Sequence, residues 1–383
     1  MRFATSVCLA VLALAGMGSA VQAQTVDENW DKCRGGDSGR YSVDEMIAGC
    51  TAEITSGKLS PHDLAIEYYN RGVIFDKSHD SDHALSDYNE AIRLDPENSS
   101  AYLNRGIIYF RRKDFQSALS DYNDVLRIDP QKGKALRARG DVYLNLGDND
   151  RAMADFDAAA RVMPDDASVF NDRGDAHYNK NEYDAAVSDY TEAVRLNPQF
   201  ALAYESRGDA YRLKGDYDSA MADYEKSLAL DPKLVEAYVG RGVILTRKKD
   251  YQGAIAAYGQ ALQADPKSIE ALNNRCWTRA AYLGTELDIA LKDCDAVIGL
   301  DAQHETALAS RGLVGLKQKR FSAAYRDFDS AVKLKPGDAF DLYARGVAAL
   351  RLGRAADARA DFAKASSIDP KIAQEFADYG VKP

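Results

Sequence analysis

The stretch AYLNRGIIYFRRKDFQSALSDYNDVLRIDP, residues 101–130, decides how the rest of the chain is read. Tyr102, Gly106 and Tyr109, then Ala118, Tyr122 and Val125, fall at the spacings of one helix face, twice over. Asp129-Pro130 ends the second helix, because proline lacks the amide the next turn needs and restricts the residue before it. Such a helical hairpin has one sticky side, and a neighbour must cover it.

The neighbours are copies. Arg105-Gly106 has counterparts at 71, 139, 173, 207 and 241, then becomes Arg275-Cys276 and resumes at 311 and 345. A fixed 34-residue period means one structural unit repeated, each copy leaning on the next. Counted from Ala65, the copies span 65–98, 99–132, 133–166, 167–200, 201–234, 235–268, 269–304, 305–338 and 339–372, the seventh having 36 residues. An aromatic or Leu stands at position 4, Arg at 7, Gly at 8, Ala at 20, an aromatic at 24 and usually Pro at 32. A short break such as Lys214-Gly215-Asp216-Tyr217 separates the helices. Gly at 8 and Ala at 20 are small because the helices cross there at close range.

This pattern resembles the tetratricopeptide repeat over residues 65–372. The resemblance implies an all-α, right-handed superhelical solenoid of helix-turn-helix repeats. It also implies a concave groove lined by first helices, with positions 2, 5, 9 and 12 pointing into it. One departure is systematic: the family's common Leu at position 7 is Arg in every copy.

Those arginines could form a basic track, but position 23 is Asp in eight copies: 87, 121, 155, 189, 223, 293, 327 and 361. A guanidinium meets a carboxylate bidentately in a partly buried seam. We therefore expect a structural ladder in which Arg105, Arg139, Arg173 and Arg207 pair with Asp121, Asp155, Asp189 and Asp223. Ala257 replaces the aspartate of the sixth copy. Pairing within a repeat would orphan Arg241, and pairing with the following repeat would orphan Arg275.

The N-terminus reads as a secretory signal over residues 1–23: Arg2, an apolar run from Val7 to Ala15, and Val21-Gln22-Ala23 at the cleavage positions. The run is far short of the ~20 residues of a membrane span, and Cys8 does not stand at its end as a lipoprotein cysteine would. Export to the periplasm or beyond follows, without membrane insertion of the mature chain. Cys33, Cys50, Cys276 and Cys294 then form an even set for an oxidising compartment. Three pairings are open and the sequence favours the two local ones. Cys276 and Cys294 replace the Gly at 8 and the aromatic at 24 together, so a bridge across one hairpin explains both. Cys33 and Cys50 flank Gly35-Gly36-Asp37-Ser38-Gly39 in an N-terminal segment, 24–64, whose stretch from Val43 to Ser56 reads as a degenerate capping half-repeat. Residues 373–383, with Ile372 to Tyr379 as a half-repeat, would cap the other end.

A net charge of −10 argues against nucleic acid, which demands clustered Lys and Arg. There is no nucleophile elbow, phosphate loop, zinc-ligand spacing or Cys-x-x-Cys, so no cofactor and no catalysis are expected. His79 and His83 lie in an inter-helix turn and His177 at a packing position. Groove candidates are Asp141, Asp175 and Asp209 at position 9, with Asp172 and Glu205 beside them, an acidic stripe suited to basic or hydrogen-bond-donating ligands. Trp277, also at position 9, is a candidate anchor. Asn70 and Asn104 lack the basic companions of the family's carboxylate clamp. The reading is a non-catalytic periplasmic scaffold for a protein or peptide, with an envelope glycan as the alternative ligand.

Overall fold

The structure is a computed structural model and describes residues 28–34 and 40–382. The signal read over residues 1–23, with its cleavage site, and the Gly-rich turn at 35–39 lie outside the described residues. Every regular element among the described residues is a helix, and none is long and apolar enough to cross a membrane.

The second repeat shows the local logic. Helix Ser99–Arg111 begins after Asn98, whose side chain accepts the Ala101 amide, and helix Phe115–Ile128 begins after Asp114, which accepts from Ser117. Asp80, Asp148, Asp216 and Asp250 cap their second helices in the same way. The residue before each of these caps is left-handed: Gly147 and Gly215 take this φ freely, whereas His79, Lys113 and Lys249 hold φ between 60° and 65°. At the far end Asp129 is extended, as the residue before a proline prefers. His79 thus belongs to a solvated turn, while His83, placed in that turn by the sequence reading, lies in the first turn of helix Ser81–Leu94, where it bonds Asp80 at 2.7 Å and stacks on Phe75.

Contacts divide the chain into two compact segments, residues 1–180 and 181–383. In the first, consecutive helices pack in chain order from Val43–Thr55 to Ala167–Asn179. Its core is a row of large rings, Tyr88, Tyr122 and Phe156, each almost fully buried. A Cβ on Gly106 would lie 2.6 Å from the Tyr122 ring, and one on Gly140 would lie 2.6 Å from Phe156. Position 8 is glycine because the ring at position 24 fills the space of a side chain.

The second segment runs from helix Tyr183–Leu196 to helix Ile372–Asp378 in the same order. Tyr224 packs against glycines of two repeats, Gly208 and Gly240. In the seventh repeat the first α-helix, Ile269–Thr278, gives way to a π-helical turn, Arg279–Leu283, followed by left-handed Gly284 and Glu286. The wider turn takes up the two extra residues. Helix Ile372–Asp378 covers the last apolar face, with Phe376 fully buried and stacked on Phe340 at 4.6 Å.

Two disulfides close local loops. Cys33–Cys50 spans 17 residues and joins helical residues 28–34 to helix Val43–Thr55. Cys276–Cys294 spans 18 and crosses the seventh hairpin.

Candidate functional site

The position-7 arginines point into a seam. Nε and Nη2 of Arg105 bond the two oxygens of Asp121 at 2.9 and 2.6 Å, and Arg139–Asp155 and Arg207–Asp223 repeat the fork. Arg71–Asp87, Arg275–Asp293, Arg311–Asp327 and Arg345–Asp361 do the same. These carboxylates are nearly buried, and burial pushes the Asp121 carboxyl up while Arg105 pulls it down. Asp189, in the second segment, is equally buried.

The remaining nitrogen reaches the preceding repeat. Nη1 of Arg105 bonds Asn89, and that of Arg139 bonds Asn123. Arg173 bonds Asp157 at 2.9 Å, Arg207 bonds Thr191, and Arg311 and Arg345 bond Asp295 and Asp329. Arg105, Arg139, Arg207, Arg311 and Arg345 each therefore tie their own hairpin together and to the one before. Aromatic rings complete the seat: Arg105 lies 5.5 and 6.0 Å from the Tyr102 and Tyr109 rings, and Arg207 is flanked alike by Tyr204 and Tyr211. Arg241 is the exception, its Nε buried without a partner. These guanidiniums are occupied, and what remains for recognition lies elsewhere on the first helices.

Matches to known proteins fit this architecture. Models of the tetratricopeptide repeat match residues 69–133, 137–198 and 171–235, and a second model of the same repeat matches 235–268. The chain belongs to the tetratricopeptide repeat family. A TPR protein from Parabacteroides merdae superposes with a TM-score of 0.54 at 23% identity, over 67% of this chain and 99% of that one. A chain of the APC/C hetero-tetramer Cut9–Hcn1 gives 0.56 at 14% identity, over 88% and 72%. Both bear on the fold alone. The protein MamA is 26% identical over 42% of this chain and 95% of its own, with a TM-score of 0.39. No curated protein matches. TPR proteins are generally non-catalytic protein-interaction scaffolds.

In the first segment the TPR first helices of repeats three and four gather Arg137, Asp141, Asp172 and Asp175. Arg137 pairs with Asp172, and Asn171 donates to Asp175 at 3.4 Å. Asp141 is half-buried, and burial, reinforced by Asp172 and Asp175 and opposed by Arg137, pushes it up to about 7. It faces two further acids.

In the second segment the acidic candidates are differently placed. Asp209 accepts from the Tyr224 hydroxyl at 2.6 Å and from Arg212 at 2.9 and 3.0 Å, so its carboxylate is engaged within its own repeat. Glu205 is buried. Trp277 packs edge-on against Phe340 at 5.3 Å and Tyr379 at 5.7 Å. Its remaining face borders a cavity of about 330 Å³ with Asn274, Thr246 and Tyr282. Tyr282 is partly exposed and stacks on Tyr251 at 4.5 Å. Arg279, which the repeat pattern does not single out, is buried and doubles the charge on Asp293 at 3.0 Å while also reaching Glu286.

Proposed function

We propose that this TPR chain is an exported, non-catalytic scaffold that holds a peptide or partner domain against the first helices of repeats three and four. It works in the periplasm or outside the cell, without a cofactor. The observation that carries this reading is the half-buried Asp141, held beside Asp172, which Arg137 pairs, and close to Asp175. A half-buried carboxyl raised by burial and by neighbouring acids favours a partner that brings a lysine, an arginine or several amide donors. The two disulfides support an oxidising compartment, as does the signal-like N-terminus.

A second reading, an envelope glycan as ligand, is favoured by the cavity beside Trp277 and Tyr282. The partly exposed rings of Trp277 and Tyr282, with Asn274 and Thr246 beside them, suit a sugar ring and its hydroxyls.

The test is in-cell photo-crosslinking of the full chain from Asn145, an exposed residue one turn beyond Asp141. Capture of a discrete protein, lost in the Asp141→Ala/Asp175→Ala variant, supports the scaffold. Capture of glycan alone contradicts it.

A further inference from the structure

Repeats eight and nine bring three carboxylates together where their first helices begin. Glu305 opens helix Glu305–Lys317, Asp338 caps helix Ala339–Arg351, and Asp341 stands in the first turn of that second helix. One oxygen of each lies within 4.8 Å of the other two. Oxygens that share a calcium ion, each 2.3–2.6 Å from it, stand at most about 5 Å apart. The spread therefore matches a single ion.

Asp341 distinguishes this cluster from an ordinary acidic surface. It is 1% exposed, and neither of its carboxylate oxygens has a hydrogen-bond partner. Buried carboxylates are otherwise paired or bound to metal, and those of the arginine ladder are all but as buried and are met by a guanidinium. The nearby cation, Lys335, is exposed and bonds Asp338 instead, at 2.7 Å. The other oxygen of Asp338 accepts the Phe340 and Asp341 amides.

We propose that Glu305, Asp338 and Asp341 bind a hard divalent cation of the calcium class and staple repeat eight to repeat nine. An all-carboxylate donor set selects oxygen-seeking ions over thiolate- and imidazole-seeking ones. Glu305 and Asp338 are half-buried, so one side of the ion stays open to water ligands, which calcium's flexible coordination accepts more readily than magnesium's strict octahedron. Three carboxylates and one ammonium leave two negative charges for the ion to neutralise. Because the donors come from two repeats, binding favours the packed state by mass action.

The test uses the full chain, freed of metal with chelator and titrated with calcium chloride by calorimetry and thermal denaturation. One calcium per chain should bind, in the ~0.1–1 mM range of extracellular calcium modules, and raise the melting temperature. Asp341→Asn and Glu305→Gln should each weaken binding at least about tenfold and remove the melting shift. Asp341→Asn should melt no lower than the wild type in chelator, which shows that it folds. Lys335→Ala, which frees an oxygen of Asp338, should bind calcium at least as tightly as the wild type. No calcium binding by the wild type, or equal binding by the Asp341→Asn and Glu305→Gln variants, would overturn the assignment.

Discussion

Arg241 stands across its hairpin from Ala257, at the position from which Asp223 and Asp293 reach Arg207 and Arg275, and its Nε is buried without a partner. In seven repeats the ladder is thus closed within the repeat first, and a missing aspartate strands the arginine of the same repeat. Ala257→Asp should restore the fork. An unsatisfied buried donor costs about 1–3 kcal/mol, and after desolvation of the new carboxylate a net gain of about 1 kcal/mol is expected. Thermal denaturation of the variant checks this; a lower melting point would show that the fork does not stabilise the hairpin.

The glycines divide into two groups. A Cβ on Gly242 would lie 2.4 Å from the Tyr258 ring, whereas one on Gly299 meets nothing within 4 Å. Gly242→Ala should cost about 1–3 kcal/mol through overpacking. Gly299→Ala, in the last turn of helix Leu287–Leu300, should gain about 0.4–1 kcal/mol. Paired denaturation curves should therefore shift in opposite directions.

The bridge between Cys276 and Cys294 replaces the glycine–ring contact of the other repeats, and both residues are fully buried. Closing an 18-residue loop contributes about 3 kcal/mol in the chain-entropy model. Cys276→Ala/Cys294→Ala should lose that amount on denaturation. Denatured, unreduced protein lacking residues 1–23 should expose no free thiol, and reduction should release those of Cys33, Cys50, Cys276 and Cys294.

Asp141 gives the first segment a pH dependence. Its folded pKa, about 7, lies above the unfolded value of about 3.9, so the protonated form is the one folding favours. Its contribution is greatest below the unfolded value, and stability falls as pH rises through about 7. Asp141→Asn should flatten the slope between pH 5 and pH 8 in denaturation series, as should no substitution of an exposed aspartate such as Asp150.

Helix order and hairpin packing are legible in the sequence because each position recurs, so that Gly106, Ala118 and Tyr122 are read against their counterparts in the other copies. The join between Arg105 and Asp121 is legible for the same reason, two polar residues holding register beside packing positions. The inter-repeat bond to Asn89 is written less plainly, since its position varies among Asn, Asp, Thr, Glu, Gly and Ala. Non-recurring features carry no such signal. The π-turn at Arg279–Leu283 depends on where two extra residues are absorbed, and the contact of Trp277 with Tyr379 depends on the capping helix folding back. Asp209 looked like Asp141 by position, but Arg212 and Tyr224 claim it, and position 12 varies from repeat to repeat. Glu305 and Asp341 come from different repeats and different positions, so only the folded chain brings them together.

The central claim is that the acidic patch on repeats three and four recruits the partner. The most direct measurement is the affinity of the crosslinked partner for the purified chain at pH 6 and pH 8, with wild type and Asp141→Asn compared. The wild type should bind more tightly at pH 8, where Asp141 is ionised, and Asp141→Asn should bind about tenfold more weakly there with little change between the two pH values. Equal affinity of the two proteins at pH 8 would contradict the account.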